Sequence, residues 1–314
     1  MTNQPDGPER LSDGSIRWQE DINQKIRIPF LCLKYGWHVR ALVREPASER
    51  AKAIEAIGVE LHMGDFSDVG SIETAMSSVY GVFRVQPSSG QGAAYGVTDT
   101  EEVCYGKTVA DMAVKHGVRH LVYTSAGAAG KGDTDLGHFD SKTEIEAHVR
   151  GLPIRSTIVR SAAFMEMLML PGMGLDQGTF SFFMRPDQAM QLIAAGDIGK
   201  IVTSIFADPK RLADQTIEIA GDEVTGSGMQ EALSRAVGRT IIYSRSPDIL
   251  LKQDAFLGRL AALVDDGSCA GAADIDACHR EFGVLMTLDI WLSAPGKSLL
   301  DAAMQAQNAP VALR

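Results

Sequence analysis

The sequence predicts an α/β fold built on a parallel sheet, with helices on its faces and a smaller C-terminal lobe. Three observations carry that prediction. Short runs rich in apolar and β-branched residues alternate with helical patterns at a spacing of roughly 30 residues, the length of a βαβ unit. Arg119–Thr124 (RHLVYT) reads as a continuous strand of the buried parallel kind. The chain has 314 residues, 45% of them hydrophobic, enough for one large domain or a domain with an added lobe.

The elements follow in order. Residues 1–27 are polar and carry Gly7, Gly14, Pro5 and Pro8, and 1–30 reads as a divergent or irregular segment. Trp37–Val43 (WHVRALV) is a strand. Ala47–Ile57 is a helix, closed by Gly58. Val59–Met63 is a strand before Gly64-Asp65, and Ser71–Met76 a short helix. Gly81–Val85 is the next strand, and Pro87–Val97 a small-residue loop. Thr100–His116 is helical through Val103, Val109, Met112 and Ala113. Parallel strands joined by right-handed crossovers place a ligand crevice at their carboxyl ends. Past Arg160 the pattern loosens. Residues 176–190 read as a loop with one strand. Ile198–Ala207 and Gly228–Val237 read as helices, Thr216–Ala220 and Thr240–Tyr243 as strands, and the remainder from Pro247 as mainly helical. The division is 1–30, a dinucleotide-type domain at 31–160, and a mixed α/β lobe at 161–314 that shares elements with the first.

Lys and Arg number 30 against 40 Asp and Glu, so the net charge is -10. An acidic balance argues against nucleic acid or an anionic membrane as partner. No apolar run is long enough to cross a bilayer, and residues 1–25 are too polar for a signal peptide, so a cytoplasmic protein is expected. Cys32, Cys104, Cys269 and Cys278 form no zinc spacing and read as reduced, buried thiols, with no metal site.

Nine motifs in order carry a resemblance. They are Trp37–Pro46 (WHVRALVREP), Gly64-Asp65, Gly81–Pro87 (GVFRVQP), Gly117–Ser125 (GVRHLVYTS), His138–Glu146 (HFDSKTEIE), Gly151-Leu152-Pro153, Arg160–Glu166 (RSAAFME), Asp197-Ile198-Gly199 and Thr287–Leu292 (TLDIWL). Over residues 33 to 293 or so the chain resembles the NmrA-like branch of the short-chain dehydrogenases. The resemblance implies a Rossmann-like domain that holds NAD(P), plus a substrate lobe. It implies either a reductase of a small carbonyl or quinone, or a non-catalytic redox-sensing regulator that acts through protein contacts.

The resemblance also calls for a first strand and a G-x-x-G-x-x-G turn before Lys34-Tyr35-Gly36. The glycines would let the backbone approach a pyrophosphate at a helix N-terminus. Ile16–Leu33 (IRWQEDINQKIRIPFLCL) contains no glycine. Arg17 stands where a glycine after Gly14 would fall, and Pro29 would cost about 3 kcal/mol inside a first helix. Genuine divergence, with weak or lost NADP binding, and a mis-called reading frame upstream of Leu33 both fit.

The candidate cofactor residues are Arg44, Asp65, Gln86, Pro87, Thr124, Lys142 and Phe164. Arg44 follows the second strand, where an arginine favours the 2′-phosphate of NADP; a solvated arginine fits equally. Asp65 is placed by the adenine through the resemblance, or it caps a turn. The catalytic candidates are Lys142, His138 and Ser125. The superfamily pairs Tyr and Lys four residues apart on one helix face, and here His138 occupies the tyrosine position. Histidine can donate a proton near neutral pH, although a histidine without chemistry is the preferred reading. Ser141 and Glu144 suggest a capping box that starts the helix near Lys142. Phe164 and Glu166 shape the substrate lobe, and Arg160 reads as an ion-pair partner.

Overall fold

The computed structural model describes residues 9–10, 16–17, 33–34, 36–85, 88–89 and 97–306. Glu9–Arg10 pairs antiparallel with Ile16–Arg17. The stretch where a first strand and glycine turn are expected otherwise lies outside the described residues, as do Gln86 and Pro87.

Strand β1 (Arg40–Val43) runs parallel to β2 (Glu60–Met63), in register from Arg40 opposite Glu60 to Val43 opposite Met63. The Arg40 Nε–Glu60 Oε1 bond of 2.9 Å closes the first rung. Helix α1 (Glu49–Glu55) joins them, with Ser48 capping the Ala51 N–H, and Gly58 takes φ +100 to turn the chain into β2. Helix α2 (Val69–Met76) follows, capped by Asp68.

The main sheet is parallel throughout. Its strands are β3 (Gly81–Arg84), β4 (His120–Ala126), β5 (Ser156–Ser161) and, far later in the chain, β9 (Gln215–Ile219), in the order β9-β5-β4-β3. Side chains alternate across it. Leu121, Tyr123 and Ile158 pack on helices α3 (Asp99–Lys115) and α4 (Gly137–Gly151), through Ala110, Ile145 and Val149. Val122 and Val159 face the other way, onto Ile198, Ile201, Val202 and Ile205 of helix α5 (Ala195–Ala207). Helices therefore cover both faces, and Leu121–Tyr123 of β4 is apolar on both for that reason. α3 and α4 approach closely at Gly106: a Cβ there would sit 2.5 Å from Ile145 Cγ1 and 3.0 Å from Arg84 Nη2.

A second core gathers the C-terminal elements. Strand β6 (Ala163–Phe164) leads into a 3-10 turn at Met165–Met169. The sequence reading of one strand in 176–190 is corrected: two begin there, β7 (Thr179–Phe182) and β8 (Ala189–Ile193). β8 runs parallel to β6 and antiparallel to β10 (Asp222–Thr225). After α6 (Gly226–Val237), strand β11 (Ile242–Arg245) pairs with β7. Helices α7 (Asp248–Gln253), α8 (Ala255–Asp265), α9 (Ile275–Phe282), α10 (Leu288–Ser293) and α11 (Lys297–Gln305) complete the chain. Met165, Met173, Phe180, Phe182, Leu233 and Trp291 are among the buried side chains of this core.

No helix among the described residues is long and apolar enough to cross a membrane. Among those residues, no three His, Cys, Asp or Glu side chains gather to hold a metal. The cysteine reading needs one correction: Cys278 is buried and Cys269 half-buried, but Cys104 is exposed on α3. Cys32 lies outside the described residues.

Candidate functional site

The parallel strands bring the candidates to their carboxyl ends in two groups. At the ends of β1 and β2, Arg44 Nε lies 3.9 Å from Asp65 Oδ2, with the arginine side chain 77% exposed. Asp65 Oδ1 accepts hydrogen bonds from the Ser67 N–H (2.8 Å) and Oγ (2.6 Å). The Ser67 hydroxyl, then its N–H, and also the charge of Arg44 hold the carboxyl below its ordinary range. The turn is tight because Gly64 has no Cβ; one would meet Ser71 at 2.5 Å. Phe66 stacks on Tyr105 of α3, ring centroids 6.1 Å apart. Lys52 is exposed on α1.

At the end of β4, Ser125 is buried and donates to Glu146 Oε1 at 2.6 Å. Glu146 lies on α4 and also accepts from Arg160 Nε (2.9 Å), Arg160 Nη2 (2.7 Å) and Arg150 Nη2 (2.6 Å). Burial works to raise the Glu146 carboxyl, but the hydrogen bonds from Arg160, Ser125 and Arg150 and the Arg160 charge hold it low. The Ser125 hydroxyl thus anchors an ion-pair network in which Arg160 plays the part expected of it. Thr124 Oγ1 is buried with no hydrogen-bond partner among the described residues.

Helix α4 carries the second group. The sequence places its start at a Ser141–Glu144 capping box, and the structure corrects this. The helix begins at Gly137 after Leu136, without a side-chain cap. Ser141 is buried inside it, and Glu144 pairs with Lys107 at 2.6 Å. The reciprocal cap forms on α3, between Thr98 and Glu101.

The early start puts both His138 and Lys142 on helical backbone, one turn apart. The His138 ring lies 3.8 Å from the Phe139 ring and 5.5 Å from that of Phe256, centroid to centroid. Burial first, then the charge of Lys142, push its pKa down to about 4. At neutral pH the ring is uncharged and holds no acidic imidazolium proton.

Lys142 Nζ donates to Glu102 Oε1 (2.7 Å), Ser88 Oγ (2.9 Å) and the His138 carbonyl (2.9 Å). Its side chain is 11% exposed and that of Glu102 fully buried. Burial pushes the Lys142 ammonium below its ordinary value, against the pull of Glu102. Burial likewise works to raise Glu102, but Lys142 and Ser89 hold it low.

Glu102 and Arg84 are the residues that the sequence reading missed. Arg84 is buried at the end of β3, its guanidinium carbon 5.1 Å from the Tyr123 ring centroid. Desolvation brings its pKa down to about 10.

Phe164 ends β6 beside Ile193 and packs against the core under α5. Glu166 accepts from the Ala195 N–H (3.2 Å) and from Trp291 Nε1 (3.1 Å), and burial raises its carboxyl. It fastens the 3-10 turn to α5 and α10.

Comparison with known proteins places this arrangement. The chain is 27% identical over 227 residues to the NmrA-like family domain-containing oxidoreductase malD of Malbranchea aurantiaca, covering 67% of each chain. It is 23% identical over 222 residues to an NAD(P)H azoreductase of Xenophilus azovorans, covering 70% of this chain and 69% of that one. The chain spans about two thirds of the length of the curated relatives it matches. Among solved structures it is similar to NmrA, a negative transcriptional regulator in complex with NAD, with TM-score 0.71, 20% identity and coverage of 89% and 94%. It is also similar to an NADPH-dependent quinone oxidoreductase of Escherichia coli, with TM-score 0.68, 19% identity and coverage of 86% and 95%. A family model described as NmrA-like matches residues 28–279, more than half of the chain, so the chain belongs to the NmrA-like family.

Proposed function

We propose that the chain is an NADPH-dependent reductase of small quinone or carbonyl acceptors, with weakened cofactor binding. The observation that carries this reading is the Lys142 ammonium on α4, held beside the segment that follows β3. The exposed Arg44 next to Asp65, with Phe66 and Tyr105 behind them, suits an adenosine with a 2′-phosphate. The pyrophosphate cradle has no counterpart among the described residues. In this reading residues 31–160 form the dinucleotide half, and 161–314 the lobe that covers the substrate.

A bound nicotinamide supplies hydride; the chain's own residues decide what can accept it. Tyrosine is absent four residues before Lys142, and His138 is neutral and packed between phenylalanines. Without a side-chain acid, the acceptor must stabilise its own developing charge and take its proton from water. Quinones do this and simple ketones do not, so quinones are favoured. Titration calorimetry should give NADPH affinity nearer millimolar than micromolar, since each lost charge-assisted contact costs about 1.5–3 kcal/mol.

Two substitutions test the assignments. Arg44→Ala should weaken NADPH more than NADH; equal losses would remove Arg44 from phosphate recognition. His138→Ala should change turnover of a quinone panel only a few-fold and leave the pH–rate profile intact between about pH 5 and 8. A large rate loss, with disappearance of an ionisation near 6.5, would make His138 an acid after all.

A second reading is a regulator that binds the dinucleotide without turnover. Full occupation of the Lys142 N–H groups within the protein favours it. Saturable NADPH binding without oxidation by any quinone would select it.

A further inference from the structure

We propose that Glu102 is the positioning residue of the Lys142 site: its carboxylate fixes the ammonium on α3, while Ser88 holds the one N–H that a ligand hydroxyl must take over. The inference deepens the reductase reading, which enters only in identifying that hydroxyl as one of a ribose.

An ammonium has three donors, and here all three are spoken for by Glu102, Ser88 and His138. Lys142 can hold a ligand hydroxyl only by releasing one of them. The three are not equally replaceable. The His138 carbonyl lies one turn back in the same helix, on backbone fixed by α4. Glu102 is fully buried, and parting it from Lys142 would forfeit the attraction between two largely buried charges. Ser88 offers a neutral hydroxyl from the segment after β3. Exchange for a ligand hydroxyl swaps like for like.

Glu102 also governs that segment. Its second oxygen accepts from the Ser89 N–H (2.8 Å), Ser89 Oγ (3.0 Å) and Ser88 Oγ (3.3 Å). One carboxylate therefore sets both the ammonium and the hydroxyl in front of it. The charges facing Lys142 are Glu102 and Asp99 from α3 and Arg84 from β3, with neutral His138 on its own helix. Burial pulls Arg84 below its ordinary value, against Tyr123 and the charge of Glu102, which hold it up. Without Glu102, two buried cations would face each other across the site with Asp99 as the remaining negative charge.

Two measurements on the full chain test this. The first needs no ligand. The ammonium of Lys142, identified by its loss in Lys142→Arg, is titrated by nitrogen-15 NMR. Glu102→Gln should lower its pKa by more than about one unit, because the charged form loses its anion. Glu102→Asp should restore most of the shift. An unchanged pKa in Glu102→Gln overturns the role of Glu102. Should Glu102→Gln fail to fold, Glu102→Asp decides: a pKa moved by less than about half a unit, with NADPH affinity lowered several-fold, supports positioning, and unchanged affinity overturns it.

The second measurement is NADPH titration. Ser88→Ala should tighten binding about three- to tenfold by removing the bond that must be broken, and Glu102→Gln should weaken it about tenfold or more. Weaker or unchanged binding in Ser88→Ala overturns the exchange. Wild-type chain that binds neither NADPH nor NADH overturns the exchange onto ribose and the reductase reading with it. The NMR titration would then still decide Glu102.

Discussion

Glu146→Ala is expected to lower the unfolding free energy by about 3–5 kcal/mol, the range for removing one partner of a buried ion pair. Glu146 is fully buried and meets Arg160, Arg150 and Ser125 at once. Truncation leaves the largely buried Arg160 with Glu218 at 3.7 Å as its remaining carboxylate. The effect has a pH signature. The folded-state pKa of Glu146 is held below its ordinary value of 4.5, so its contribution is fully present above that value. It fades as the pH falls through the lowered value. Urea unfolding of wild type and variant at pH 7 should show the full gap, and the gap should narrow in acid. A loss below about 1 kcal/mol at pH 7 would mean that water or Glu218 replaces the pair.

Lys142→Ala is expected to abolish measurable NADPH oxidation and to weaken NADPH binding by at least about tenfold. Lys142 pairs with the buried Glu102 at 2.7 Å. The variant therefore also takes the ammonium away from a buried carboxylate, whose pKa should rise. Circular dichroism on the same sample separates loss of the site from loss of the fold. Turnover retained within a few-fold in a folded variant would remove Lys142 from the mechanism.

Much of the sheet was legible because each strand advertises itself locally. Leu121–Tyr123 is apolar without interruption since Leu121 and Tyr123 pack on one layer of helices and Val122 on the other. The strands Thr179–Phe182 and Ala189–Ile193 were harder to see. Their neighbours, Arg185, Pro186 and Asp187, read as loop, and their partners lie 29 residues or more away along the chain. The α4 start was misplaced because Ser141-x-x-Glu144 satisfies the capping pattern by residue type alone, while tertiary packing buried Ser141.

The site was half legible. Lys142, Arg44 and Asp65 sit at strand ends or on a motif. Glu102 lies 40 residues from Lys142 in sequence and beside Glu101, which caps the start of the same helix. One signal was available. The buried residues of α3 are Glu102, Gly106, Val109, Ala110 and Ala113, so helical phase alone puts a carboxylate in the apolar stripe. A charge in such a stripe calls for a partner.

The C-terminal core has a chemical consequence of its own. Met165, Met169, Met173, Met184, Met190 and Met229 are each at most 3% exposed within one cluster, whereas Met63 is 69% exposed at the end of β2. A peroxide should thus convert Met63 to its sulfoxide first and reach the six inner thioethers only when that core opens. Each sulfoxide formed there would introduce a polar group that the closed cluster cannot solvate, so the first opening that is oxidised hinders its own reversal. Oxidative ageing of this protein would then proceed by whole cores rather than residue by residue, a clock carried within its own fold.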